Sequence, residues 1–160
     1  FSKLIIFGIF FGFLGYFKSF LVSLILLLFL RINIGGIHCK HYITCFLLTF
    51  VVLFSSIILL PKLLFVAPIL IISICTICMI INYKIGPIAS PFRPSPDSIL
   101  IKKCQNTGFV IIFIFIIFVS FFHEFSLFAT YFQVGFWTIV LHTAQLFIAK
   151  ISKKEECANA

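Results

Sequence analysis

The chain has 160 residues, of which 62% are hydrophobic and only 10% are charged. A soluble domain of this composition would have to expose a large apolar patch to water, which excludes that class of protein. The net charge of +8 does not indicate a nucleic-acid partner, because basic residues in a membrane protein report orientation first and no nucleic-acid motif accompanies them.

Apolar runs with lengths near the roughly 20 residues needed to cross a bilayer follow one another to the end of the chain. A removable signal peptide therefore does not explain them. They predict an all-α protein, a polytopic transmembrane helical bundle formed by residues 1–160 as a single domain, with about six short spans. The runs are 4–17, 19–30, 42–60, 63–81, 107–122 and 125–149.

The first two runs meet at Lys18. As one helix they would be about 40 Å long, which exceeds the hydrocarbon core, so a hairpin of two short helices turning near Lys18 is favoured. One tilted helix is the alternative, and the choice decides between six and five spans. Pro61-Lys62 and His123-Glu124 are predicted as turns between later spans, and Pro68 as a kink within a helix.

The basic residues divide unequally between the two sides of such a bundle. If the segment 31–45 is cytoplasmic, only Lys18 and Lys62 of the 12 Lys and Arg residues lie on the far side. The positive-inside rule then predicts that segment 31–45, a Pro-rich loop at 83–104 and a tail at 150–160 face the cytoplasm of a bacterial cell. Cys75 and Cys78 fall within a span, where packing between helices is favoured over redox or metal chemistry.

The segment 31–50, RINIGGIHCKHYITCFLLTF, holds most of the reactive side chains. Gly35 and Gly36 are loop-shaping residues, since they allow tight backbone conformations that other residues avoid. His38 comes next, and Cys45 follows it by two helical turns. On one continuous helix the two would stand roughly 10 Å apart, too far for a hydrogen bond of about 3 Å.

If His38 and Cys45 cooperate, the Gly-Gly turn must fold back a loop that carries His38. Cys45 must then lie early in the following helix, where the helix N-terminus favours the thiolate. A thiol and an imidazole placed in this way are the minimum for nucleophilic catalysis, in which Cys45 attacks a carbonyl and His38 transfers the proton. The two residues are the candidate catalytic pair.

The letters GGIHCK at 35–40, followed by Cys45, resemble the signature of the accessory gene regulator protein B family. These proteins are bacterial membrane cysteine peptidases of quorum sensing. The order of spans, the Pro-rich basic loop and the Lys-rich tail extend the resemblance over essentially the whole chain. Cys39 departs from the small residue that is usual there, and the start at Phe1 rather than Met indicates that a leading segment is missing.

The resemblance implies a cysteine endopeptidase without a cofactor, with His38 and Cys45 as the catalytic dyad. Its substrate is then a small precursor peptide with an amphipathic N-terminal segment and an acidic C-terminal tail, cleaved and closed into a thiolactone or lactone. In the Pro-rich loop, Lys84, Arg93 and Pro94 are candidates for binding that precursor. Membrane topology and contact with lipid headgroups explain these charges equally well.

Several points stay open at this stage. Asp97 and Asn33 are both candidates for orienting His38. His38, Cys39, His41 and Cys45 are also a set of metal ligands, which suits a metal-binding membrane protein, although no carboxylate base lies nearby. A small transporter or scaffold is a further alternative. The spans carry no charged residue near their centres of the kind that marks an ion or proton path, which counts against it. A homodimer is left open.

The last span carries His142. A lone His at such a position is more often a packing or interhelical hydrogen-bonding residue than a functional one.

Overall fold

The computed structural model describes residues 2–37, 42–87 and 97–158, with side chains over 3–37, 42–87 and 97–151. Within these ranges the chain is helical and contains no strand, so the predicted all-α bundle is confirmed. Five helices are long and apolar enough to cross a membrane, and the chain is therefore a multi-pass membrane protein. The helices are α1 (Ser2–Phe13), α2 (Phe17–Ile34), α3 (Tyr42–Leu63), α4 (Pro68–Ile85), α5 (Ser98–Phe122) and α6 (Ser126–Ala158).

The N-terminal hairpin consists of two helices, as predicted, but the chain does not turn at Lys18. The turn lies at residues 14–16, and Lys18 is an exposed residue in the first turn of α2. Gly15 has a φ of 77°, in the left-handed region that glycine enters without steric cost. With 12 residues, α1 is about 18 Å long and is shorter than the hydrocarbon core.

The connection between α3 and α4 also differs from the prediction. Pro61-Lys62 is not a turn, since α3 continues to Leu63 through a π-helical segment, Ser55–Leu59. The wider π turn places i→i+5 hydrogen bonds just before Pro61, which has no N–H to donate. The break falls at residues 64–67, and Pro68 begins α4 rather than kinking it.

The helices around the Pro-rich segment are longer than the hydropathy pattern predicts. Helix α4 ends at Ile85 and α5 begins at Ser98, so the predicted loop at 83–104 is shortened at both ends, and residues 88–96 lie outside the described ranges. Helix α6 extends to Ala158 and includes most of the predicted tail. Lysine, glutamine and glutamate are good helix formers, so a polar sequence does not by itself end a helix.

Side-chain contacts show which helix ends lie together. Lys3 Nζ is 4.2 Å from the ring centroid of Tyr42, which places the start of α1 beside the start of α3. Lys62 Nζ is 5.5 Å from the ring centroid of Tyr16 at the other end of the same helices. We call the end that contains the last turn of α2 and the first turn of α3 the Gly35 end.

Helix α6 is central to the bundle. Half of its membrane-spanning window is buried, against 17–33% for the other four long helices. One apolar cluster contains its residues Phe136, Ile139 and Leu146, and a second cluster contains Val134. Cys75 and Cys78 are buried in the first of these clusters as free thiols. Both of these buried apolar clusters therefore include residues of α6.

A buried polar contact joins three helices in the middle of the bundle. Ser23 Oγ of α2 is 2.8 Å from Thr138 Oγ1 of α6 and 3.2 Å from Ser56 Oγ in the π-helical segment of α3. Because no water competes at this depth, such hydroxyl contacts between spans fix how the helices lie against each other.

The break between α3 and α4 is held by the amide of Gln133 on α6. Its Oε1 accepts from Val66 N at 3.2 Å, and its Nε2 donates to Val66 O at 2.6 Å. We predict that Gln133→Leu lowers the free energy of unfolding by about 1–3 kcal/mol, because the N–H and C=O of the half-buried Val66 lose their partner.

The measurement is denaturant unfolding in mixed detergent micelles. The control is Ser120→Ala, since this exposed hydroxyl bonds only to Ile116 O in its own helix. Equal losses in the two variants would contradict the prediction.

Candidate active site

The turn after α2 is made by Gly35. Its φ of 88° and ψ of −155° fall in a region that side chains exclude, and its N–H donates to Arg31 O at 3.0 Å. Gly36 is buried but does not have a positive φ, and a Cβ added there would lie 3.7 Å from Arg31 Nε, an ordinary contact. Of the two predicted loop-shaping glycines, Gly35 has the conformation that requires glycine.

Cys45 is the fourth residue of α3 and is a half-buried free thiol. It therefore lies early in the helix that follows the Gly-Gly turn, where the sequence argument requires it to be. His38 lies outside the described residues, as do Cys39, Lys40 and His41. The approach of the His38 ring to the Cys45 sulfur stays a prediction.

Arg31 connects α2 with the two helices beside it at the Gly35 end. Its Nη1 donates to Thr49 Oγ1 on α3 at 3.3 Å, and its Nη2 donates to Gln145 Oε1 on α6 at 3.1 Å. Thr49 Oγ1 in turn donates to the carbonyl oxygen of Cys45 at 2.8 Å. Hydrogen bonds from a charged donor contribute about 1.5–3 kcal/mol each, so Arg31 stabilises the contact of α2 with α3 at Thr49, one helical turn after Cys45. The bond from Thr49 to Cys45 lies within α3 itself.

A second contact reaches the Gly-Gly turn from α6. His142 is fully buried and its Nε2 is 3.1 Å from Gly35 O. Because a carbonyl oxygen only accepts, Nε2 must carry the proton in this contact. The expectation that His142 is an interhelical hydrogen-bonding residue is confirmed.

The Pro-rich segment begins at a fixed position. Gly86 has a φ of 68°, and a Cβ added to it would lie 2.8 Å from Gln105 Nε2, which donates to Tyr83 O. Lys84 is an exposed residue of the last turn of α4 at this end. Arg93 and Pro94 lie outside the described residues, so their predicted role in binding the precursor is unchanged.

The two candidates for orienting His38 have other contacts. Asn33 Nδ2 donates to Phe29 O in its own helix at 2.8 Å. Asp97 is exposed before α5, and its main-chain oxygen accepts from Ile101 N at 3.0 Å. Among the described residues, no hydrogen bond joins either of them to Cys45, and an orienting role for each stays a prediction.

The metal-binding alternative rests largely on residues outside the described ranges. Of its four predicted ligands, only Cys45 is described. Within the described residues, no group of three or more His, Cys, Asp or Glu side chains is placed to hold a metal ion.

Sequence analysis did not identify the support from Arg31, Thr49, Gln145 and His142. Two signals for it exist in the sequence. Arg31 ends an otherwise apolar helix, and His142 and Gln145 are three residues apart on one helical face of an apolar span.

The comparison with protein families agrees with this geometry. A family model described as "Accessory gene regulator B" matches residues 1–147, a range that includes both Gly35 and Cys45 and the parts of all six helices up to residue 147. No curated protein and no solved structure matches the chain. The match supports a role in processing a quorum-sensing peptide within the accessory gene regulator system. Its extent over nearly the whole chain confirms the resemblance seen in the sequence, and the protein belongs to the accessory gene regulator B family.

Proposed function

We propose that this protein is a membrane cysteine endopeptidase that cleaves a small precursor peptide and cyclises it into a thiolactone or lactone autoinducer. The observation that carries the proposal is the position of Cys45. Its free, half-buried thiol lies at the start of α3, directly after the loop that the positive φ of Gly35 turns. This is the placement that a Cys–His pair separated by a tight loop requires.

In the proposed reaction, His38 takes the proton from the Cys45 thiol as the sulfur attacks a peptide carbonyl of the precursor. The C–N bond breaks, and His38 returns the proton to the leaving amine. A thioester then joins Cys45 to the N-terminal fragment. A Cys or Ser side chain of that fragment attacks the same carbonyl, closes the ring and releases the Cys45 thiol.

The thioester must be protected from water for ring closure to succeed. Aromatic residues pack between α1 and α3 just after Cys45, since Phe46 and Phe50 lie against Phe7, with ring centroids 4.8 and 5.8 Å away. This apolar packing next to Cys45 in the chain, with the Gly-Gly turn before it, supports a site that excludes bulk water at the membrane boundary.

The charge distribution supports a cytoplasmic position for this site. Lys3, Arg31 and Lys84 lie on helix ends at the Gly35 end, whereas Lys18 and Lys62 lie at the opposite one. The positive-inside rule then places the Gly35 end, and with it α6 beyond residue 150, in the cytoplasm. Lys84 and Arg93 would pair there with the acidic tail of the precursor.

Trapping the thioester tests the proposal. The purified protein is mixed with a synthetic precursor peptide that has an amphipathic N-terminal segment, an internal Cys and an acidic C-terminal tail, and the products are analysed by mass spectrometry at acidic pH. We expect an adduct on Cys45 with the mass of the N-terminal fragment, which hydroxylamine removes.

The protein with Cys39→Ala should form the same adduct. Cleavage of the peptide without any adduct on Cys45 would show that another group is the nucleophile.

A further inference from the structure

Both parts of the proposed active site are in contact with the last helix. Helix α6 is the most buried of the long helices, and its buried polar side chains at the Gly35 end include His142 and Gln145. They are one helical turn apart and share a face. They are 0% and 5% exposed, so neither is a surface residue.

The first contact reaches the segment that leads to His38. His142 Nε2 donates to Gly35 O at 3.1 Å, which holds the residue where the chain turns away from α2. Because Gly35 is only three residues before His38, its carbonyl direction sets where the loop begins.

The second contact reaches the segment that carries Cys45. Gln145 Oε1 accepts from Arg31 Nη2, Arg31 Nη1 donates to Thr49 Oγ1, and that hydroxyl donates to Cys45 O. The backbone of the nucleophile is thus connected to α6 through the guanidinium. Helix α6 is therefore hydrogen-bonded directly to the turn after α2 and, through Arg31, to α3.

We propose that His142 and Gln145 are positioning residues for the peptidase. His142 holds the backbone at Gly35, three residues before His38, and Gln145 holds Arg31 against Thr49, one helical turn after Cys45. The inference rests on the proposed function and adds a role for the last helix, which contributes no reacting atom. Catalytic distances are sensitive to such support, since a displacement of about 1 Å costs roughly 10²-fold in rate.

The atoms without a partner show which replacements test this role. Among the described residues, nothing bonds to His142 Nδ1 or to Gln145 Nε2, although both atoms are buried. Only His142 Nε2 and Gln145 Oε1 are used. A glutamine at 142 can present its amide nitrogen where Nε2 lies, whereas an asparagine reaches only as far as Nδ1. A glutamate at 145 keeps the acceptor for Arg31, whereas a leucine removes it.

We therefore compare His142→Gln with His142→Asn, and Gln145→Glu with Gln145→Leu. The first readout is kcat for cleavage of the same synthetic precursor peptide. The second is the rate at which iodoacetamide alkylates Cys45, followed on the proteolytic fragment that carries this residue. We expect His142→Asn and Gln145→Leu to lower kcat by about 10²-fold. His142→Gln and Gln145→Glu should stay within about threefold of the parent, a small change beside the loss expected from misplacement. KM should change little in all four proteins, since none of the replaced side chains binds the precursor.

A double-mutant cycle separates positioning from general loss of structure. If His142 acts through His38, then His142→Asn added to His38→Ala slows alkylation of Cys45 no further than His38→Ala alone. A purely structural effect would instead multiply with the effect of His38→Ala.

The outcomes distinguish this inference from the proposed function. If His38→Ala leaves cleavage and alkylation unchanged, the catalytic dyad itself is wrong. If His38→Ala is inactive but the asparagine and leucine variants match the parent, the dyad stands and the positioning role is overturned. If the glutamine and glutamate variants fold with the parent's thermal midpoint yet are as slow as the other two, the specific hydrogen bonds are not the cause and the inference is likewise overturned.

Discussion

Replacement of Cys45 by alanine will lower cleavage of the precursor by roughly 10⁴-fold or more, because removal of a nucleophile ends covalent catalysis and leaves only the contribution of binding. The loss should fall on kcat, with the affinity for the precursor nearly unchanged. Cleavage is measured by mass spectrometry in cells that express the protein together with a precursor peptide that has an amphipathic N-terminal segment, an internal Cys and an acidic C-terminal tail. Purified protein in bilayer vesicles then gives the rate.

The matched control is Cys39→Ala, a thiol six residues earlier in the same segment. We expect this protein to cleave at the parent's rate, since the proposed mechanism uses only one sulfur. Cys104→Ala is a second control, because this thiol is buried in α5. If Cys45→Ala still cleaves the peptide, the peptidase mechanism is wrong.

The same experiment separates the metal-binding alternative from the peptidase. A site formed by His38, Cys39, His41 and Cys45 would lose activity when any ligand is replaced and when a chelator is added. A cysteine peptidase loses activity when His38 or Cys45 is replaced, but not when Cys39 or His41 is replaced, and it is unaffected by EDTA.

The order of the apolar helices could be predicted from hydropathy, because each span must bury its backbone within one apolar segment. The choice between five and six spans was left open, and five helices are long enough to cross a membrane while α1 is shorter. The positions of the turns were less predictable. Lys18 interrupts the apolar pattern, yet the chain turns at Gly15, where the backbone can adopt a positive φ. Pro61-Lys62 is a residue pair typical of a turn, yet α3 continues beyond it after a π-helical segment. In these cases the backbone conformation, and not the hydropathy, decided the boundary.

For the candidate site, local sequence could predict what local geometry determines. The Gly-Gly pair and the spacing to Cys45 predicted a turn followed by a helix with the thiol near its start, which agrees with the structure. The contacts that support the site could not be found in this way. Arg31 and Gln145 are 114 positions apart, and Gly35 and His142 are 107 apart. Only the packing of α6 against α2 brings them together.

Gly35→Ala should remove most of the activity without removing the fold. The φ of 88° at this position lies in a region that an alanine occupies only at a cost of about 1–3 kcal/mol. The chain can avoid that cost by rotating the peptide planes of the turn. This rotation moves Gly35 O away from His142 and changes the direction of the segment that leads to His38. We expect kcat to fall by about 10²-fold, as for other displacements of a catalytic group.

The control for this change is Gly15→Ala, which places an alanine at another positive φ, at the opposite end of the bundle. Gly15 has a φ of 77°, and a Cβ added there meets no atom within 4 Å. Both variants should lose stability in denaturant unfolding, while only Gly35→Ala loses cleavage. Cleavage is compared where unfolding shows both proteins to be folded, so that a difference in activity reports on the loop and not on the stability of the bundle. Equal cleavage by the two proteins would mean that the conformation of Gly35 does not set the position of His38, and the catalytic loop would have to be held by other contacts.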